Sequence, residues 1–210
     1  MHVKRAARAL GLAATVVLLA GCDAGEPAAL SCTVDVDTPE LVADREAAGI
    51  ADCTELPTAP GASDLPGIEL HCLGSTETMA LSDVKGPAIV NFWSTTCGPC
   101  REEMPVLQEF HETYGERVPL LGVNFLDTYP GAAIEFARLK QVTYPSAADA
   151  CGDLQQSALA LQGLPQFVFV KADGSFTQQA GGIDSIEEIV AMAEEHLDVD
   201  LAGPAGEGAS

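Results

Sequence analysis

Positive charge is what this chain has least of. Lys and Arg number 10 against 31 Asp and Glu, giving a formal charge of −21 at pH 7. Three of the basic residues, Lys4, Arg5 and Arg8, fall in a leader that contains no acid. Its removal leaves 7 basic residues against the same 31 acidic ones, a net charge of −24. No basic footprint for nucleic-acid phosphates remains, and the acidity reads as solvation. Long apolar runs are also missing. Residues 9–20 form one, too short for the roughly 20 apolar residues that a spanning helix needs. There is no internal repeat. No second C-x-x-C or H-x-x-H accompanies the single C-x-x-C, which weighs against zinc. Aromatic residues are sparse at 5%, but the apolar fraction of 47% is ordinary for a globular protein. A chain of 210 residues is expected to hold one domain with extensions.

The first 22 residues, MHVKRAARALGLAATVVLLAGC, join a basic start to an apolar run that stops at small residues and a cysteine. Leu19-Ala20-Gly21-Cys22 resembles the lipobox of bacterial lipoproteins. That resemblance implies cleavage before Cys22 and acylation of its thiol, and so a lipid anchor on the extracytoplasmic face of the cell membrane. A plain secretory signal with a chance cysteine, or an uncleaved anchor, are the other readings. The expected division is a signal over residues 1–21, a tether over 22–66, a domain over 67–198 and a flexible tail over 199–210.

Seven cysteines are present, and setting aside Cys22 leaves six, an even number in a compartment that permits disulfides. Beyond the close pair Cys97 and Cys100 lie Cys32, Cys53, Cys72 and Cys151, for which three connectivities are open. Zinc is the competing reading for these four, but they contain no second short-spaced pair and only His71 adjoins one of them.

The tether is rich in Ala, Pro, Gly and Asp. Within it, Thr38-Pro39-Glu40 reads as a helix cap, a proline at the first helical position and a first-turn acid, with Gly49 as a stop. A short helix over 39–48 follows. Downstream, residues 87–93 and 118–126 are apolar runs of strand length, separated by a helix over 97–114. A helix over 132–141 is expected to bury Ile134, Phe136, Ala137 and Leu139, and a weaker helix covers 153–161. Residues 167–170 form a third strand, Asp173-Gly174 a turn into 175–179, and Asp184 or Ser185 caps a last helix ending at His196 or Leu197. This order predicts an α/β fold, a central mixed sheet flanked by helices.

The pair follows a buried strand and opens a helix. Spacing of i, i+3 brings two sulfurs together on one turn, and the helix N-terminus favours a thiolate. Cys97 is expected to be the activated, exposed cysteine and Cys100 the shielded one. A two-residue disulfide loop constrains an unfolded chain little, so redox chemistry is favoured over a structural role.

The stretch FWSTTCGPCREEMP resembles the active site of thioredoxin-like proteins, and in particular the membrane-tethered TlpA/ResA group. The resemblance covers residues 66–198 and implies a thioredoxin-like fold with an N-terminal extension. It implies that Gly163-Leu164-Pro165 is the cis-proline loop facing the cysteines, where backbone groups around Leu164 pair with a client. Trp93, Gly98 and Pro99 join Leu164 and Pro165 as expected client contacts. Asn91 stands where thioredoxins carry a buried Asp, whereas Glu103 matches an acid that this group often places after the second cysteine. Glu103 is thus expected to serve Cys100 as acid or base, with a surface position as the alternative; Glu102 is expected to be solvated. Thr96 replaces the usual Trp, and Pro105 is expected to kink its helix. The resemblance also favours a Cys53–Cys72 bridge, the latter in a Cys-Leu-Gly stretch, leaving Cys32 for Cys151.

The implied activity is protein thiol–disulfide exchange without a cofactor or metal, the redox group being the Cys97–Cys100 disulfide. Gly98-Pro99 matches reducing thioredoxins. Family kinship implies clients such as apocytochrome c and a membrane electron donor of the CcdA/DsbD type. A disulfide-forming oxidase of the same fold is the alternative. A thiol peroxidase fits less well, because Ser94 matches its motif but Val90 occupies the proline position. A metallochaperone fits less well too, since copper-delivering relatives use C-x-x-x-C.

Overall fold

The computed structural model describes residues 32–159 and 161–202. The leader, the lipobox with Cys22, and most of the expected tail lie outside the described residues. Among the described residues no helix is long and apolar enough to cross a membrane.

Helix α1 (Pro39–Ala48) begins where its sequence signals place it. Thr38 Oγ1 accepts a hydrogen bond from the Leu41 amide, and Gly49 ends the helix at φ 73°. Much of the segment read as a tether is in fact packed. Val36, Ile50, Leu56 and Leu65 are buried, α1 lies against α3 (Pro130–Leu139), and the Ala51 amide donates to the Thr143 carbonyl at 2.9 Å. Cys32 is bonded to Cys151 and Cys53 to Cys72, with Cα separations of 5.6 and 5.1 Å.

The sheet is built from β1 (Glu69–Cys72), β2 (Thr78–Ala80), β3 (Ala88–Trp93), β4 (Leu120–Phe125), β5 (Ser146–Asp149), β6 (Gln166–Val170) and β7 (Phe176–Ala180). Their order is β2-β1-β5-β4-β3-β6-β7. Strands β3, β4 and β5 run parallel, and β1 and β6 pair antiparallel to their outer edges. This is the mixed sheet of a thioredoxin-like fold. Every residue of β3, β4 and β6 is buried, and alternate side chains serve two cores. Ile89, Trp93, Phe167 and Phe169 face α2 (Gly98–Tyr114), α3 and α4 (Ile186–Leu197). Ala88, Val90, Phe92, Val168 and Val170 face loop residues Leu56, Leu65, Leu81 and Leu154. Each fully buried side chain of this size contributes roughly 1.5–3 kcal/mol.

Two expectations are corrected. Helix α3 starts at Pro130 and buries Pro130, Ala133, Ile134 and Ala137, an i, i+3, i+4, i+7 stripe that leaves Leu139 64% exposed. The helix expected over 153–161 is only a 3₁₀ turn, Asp153–Gln156. The Asp149 carboxylate accepts from the Asp153 and Leu154 amides, which closes the turn locally and stops helical propagation. Helix α2 extends through Pro105, whose ring lies on its exposed side and which has no N–H to give the Arg101 carbonyl one turn back.

Candidate active site

Strand β3 delivers the chain to loop 94–96, and Cys97 becomes the N-cap of α2. Its Sγ accepts a hydrogen bond from the Cys100 amide at 3.2 Å, one of the donors left free by the first helical turn. Cys97 is half-buried, Gly98 and Pro99 are exposed, and Cys100 is fully buried. The two are disulfide-bonded with their Cα atoms 5.3 Å apart. One sulfur is therefore open to attack at the positive end of a helix, and the other is shielded behind it.

The Leu164–Pro165 peptide is cis. Pro165 is buried, and half-buried Leu164 lines a groove of about 220 Å³ together with Ser94, Thr96, Phe125, Leu126, Leu161 and Gly163. A third loop completes the site. The Gly181 amide donates to the Pro165 carbonyl at 3.1 Å. A Cβ placed on Gly182 would lie 3.5 Å from Pro99 and 3.6 Å from Pro165, so this turn packs between the proline loop and the start of α2. Gly181 and Gly182 were not singled out from sequence, because a glycine pair after a hairpin looks like an ordinary turn.

Beneath the disulfide sits Glu103, with no exposed surface. Its Oε1 accepts from Asn91 Nδ2 at 2.9 Å, while Oε2 has no hydrogen-bond partner. Burial raises its pKa to about 7, against the smaller opposing effects of the Asn91 amide and the nearby Ile183 N–H. A carboxyl group at that pKa both gives and takes a proton near neutrality. Helical spacing puts it one turn beyond Cys100, whereas Glu102 is exposed. Trp93 is corrected as a client contact. Alternation along β3 turns it inward with Asn91, it is 1% exposed, and its ring packs near Phe136 at 6.4 Å.

Sequence reasoning also missed Asp127. It is 5% exposed just after β4, and its carboxylate accepts hydrogen bonds from Thr95 in the loop before Cys97. The available signal was an acid two residues after a buried strand, at the same end of the parallel strands where the C-x-x-C emerges. Among the described residues one group of metal-capable side chains occurs, Asp52 with Cys53 and Cys72, and both of its sulfurs are spent in a disulfide.

Residues 62–178, more than half of the chain, match the AhpC/TSA family. The chain belongs to that family. The thiol:disulfide interchange protein DsbE of Pseudomonas fluorescens is 30% identical over 140 residues, which cover 66% of this chain and 75% of that protein. The thiol-disulfide oxidoreductase ResA of Oceanobacillus iheyensis is 28% identical over 114 residues, covering 53% of this chain and 58% of ResA. These kinships place the chain among the TlpA/ResA-like thiol–disulfide oxidoreductases. A solved structure of MTB dsbF, in mixed oxidised and reduced forms, shares the fold with a TM-score of 0.56 at 23% identity; the match covers 62% of this chain and 98% of that one.

Proposed function

We propose that this protein reduces disulfides in client proteins outside the cytoplasm, held to the membrane by a lipid on Cys22. The observation that carries this reading is the asymmetric pair: Cys97 half-exposed as the cap of α2, Cys100 buried, and Glu103 beneath them. The Cys97 thiolate attacks one sulfur of a client disulfide, forming a mixed disulfide and expelling the other sulfur as a thiolate. Cys100 then loses its proton to Glu103 or to water and attacks Cys97 Sγ. The second client thiolate leaves, and the Cys97–Cys100 bond closes. Two electrons pass to the client, which takes up two protons. The groove beside Leu164 receives the client strand. A membrane donor of the CcdA/DsbD kind restores the dithiol, and apocytochrome c is a client of the expected kind.

The test is the potential of the full chain, read from its equilibrium with glutathione or dithiothreitol buffers. A value near thioredoxin's, about −270 mV, supports reduction, and one near DsbA's, about −120 mV, overturns it in favour of disulfide formation. The Cys100→Ala variant retains the attacking thiol and is expected to accumulate clients as mixed disulfides, from which they can be identified.

A further inference from the structure

The reactive cysteine is not positioned by its helix alone. Asp127 Oδ2 accepts from the Thr95 amide at 2.9 Å, Thr95 Oγ1 at 2.6 Å, Asn124 Nδ2 at 3.3 Å and Ser94 Oγ at 3.5 Å, while Oδ1 accepts from the Tyr129 amide at 3.4 Å. The network continues to the cysteine. Ser94 Oγ contacts Thr96 Oγ1 at 3.1 Å and the Thr96 amide at 3.4 Å, and the Cys97 amide donates to the Ser94 carbonyl at 3.1 Å. The backbone bends to bring the carboxylate there: Leu126, immediately before Asp127, has φ 52°, in the left-handed region that a leucine rarely enters. Such a conformation costs on the order of 1–3 kcal/mol and persists where its surroundings enforce it.

Asp127 is also an anion without a counter-ion. Its donors are hydroxyls and amides, and among the described residues no cation pairs with it. These hydrogen bonds hold its pKa below the ordinary carboxylate value despite burial. Along the neighbouring segments the charged residues are Arg101, Glu102 and Glu103 on α2 and exposed Asp184 on the loop after β7; the cis-proline loop carries none. Arg101 lies over the Phe136 ring at 5.1 Å.

We propose that Asp127 is a positioning residue for Cys97, fixing loop 94–96 from below and setting the cysteine's ionisation through its buried negative charge. An anion near Cys97 disfavours the thiolate. Reduction by two glutathione thiols breaks the Cys97–Cys100 bond, forms one glutathione disulfide and transfers two electrons. One proton stays on Cys100, and the other stays on Cys97 or enters solvent as Cys97 ionises. Disfavouring the thiolate therefore shifts this equilibrium toward the protein disulfide and makes the pair a stronger reductant. This last consequence rests on the reducing role proposed above.

Three variants of the full chain separate the two contributions. Asp127→Asn keeps an acceptor but removes the charge. It is expected to lower the Cys97 pKa and to raise the reduced-to-oxidised ratio at fixed glutathione poise by roughly three- to tenfold, where tenfold equals 29.6 mV. Asp127→Ala also loses the loop anchor. It is expected to slow attack on a disulfide by about tenfold even at pH values where Cys97 is fully ionised. Asp127→Glu keeps the charge and is expected to restore the wild-type equilibrium. An unchanged Cys97 pKa and equilibrium in Asp127→Asn, or a shift in the opposite direction, overturns the assignment, including where thermal stability falls. A wild-type potential near DsbA's sinks the reducing role alone, since the Asp127→Asn shift is measured relative to wild type.

Discussion

Two disulfides in this molecule share a chemical bond and differ in everything around it. Cys53–Cys72 is fully buried among Leu56, Leu70, Leu81 and Val84, and it closes a loop with a sequence separation of 19. Cys97–Cys100 has a separation of 3, one half-exposed sulfur at a helix N-terminus and a protonatable carboxyl group below. Exposure alone does not make the difference, because Cys32, bonded to Cys151, is exposed as well, yet its partner precedes only a short 3₁₀ turn rather than capping an α-helix. Reactivity here comes from a helix end that favours one thiolate and an acid that can exchange a proton with the other cysteine.

The largest effect expected from breaking that contrast is at Cys97. Cys97→Ser is expected to abolish disulfide exchange while lowering urea-unfolding stability by no more than about 2 kcal/mol, because so short a loop constrains the unfolded chain less than a long one. The paired change Cys53→Ala with Cys72→Ala is expected to do the reverse. Exchange rates persist, while stability falls by about 3 kcal/mol, as chain entropy predicts for a loop of this size. Any loss of exchange that outran the loss of folded protein would mean that the two bonds are not independent.

Glu103→Gln probes the proton side of the same contrast. Resolution by Cys100 is expected to slow by roughly 10²-fold, the lower end of the range for general acid–base catalysis, and to lose its pH dependence near neutrality. Stability carries a second signature. The folded-state pKa of about 7 stands above the ordinary 4.5, so between those values the native protein holds a proton that the unfolded chain has released. Stability is expected to fall as pH rises through that window, by on the order of 3 kcal/mol at 1.36 kcal/mol per pH unit, and Glu103→Gln to flatten the fall. Parallel wild-type and variant profiles would show that Glu103 is not the titrating group.

What the sequence disclosed and what it hid follow one division. Continuous apolar runs identified β3, β4 and β6, and local caps identified α1 and α4, because in those elements local preference and tertiary burial agree. Strand β5, Ser-Ala-Ala-Asp, has no strand propensity of its own and exists because β4 and β1 pair with it on both sides. The C-x-x-C and the proline loop were legible from spacing. Asp127 and the Gly181-Gly182 turn were not, since they reach the site through crossings of the sheet that no short window of sequence contains. Trp93 was misplaced for a related reason. The resemblance placed it among the client contacts, but the twofold period of the strand sends it inward on the same face as Asn91.

The smallest effect is expected far from the chemistry and tests whether the N-terminal extension belongs to the folded body. Thr38→Ala removes the side-chain oxygen that accepts the Leu41 amide at the start of α1. If α1 were a passive tether, fraying it would leave global unfolding unchanged. Its packing against α3, and the Arg45 guanidinium's hydrogen bonds to the Gly74 and Ile50 carbonyls at 3.1 and 3.0 Å, couple it to the sheet instead. A cap of this kind contributes about 1 kcal/mol, so the urea midpoint is expected to drop by that equivalent with exchange rates unaltered. An unmoved midpoint would return α1 to the tether and assign the folded body to the residues that follow it.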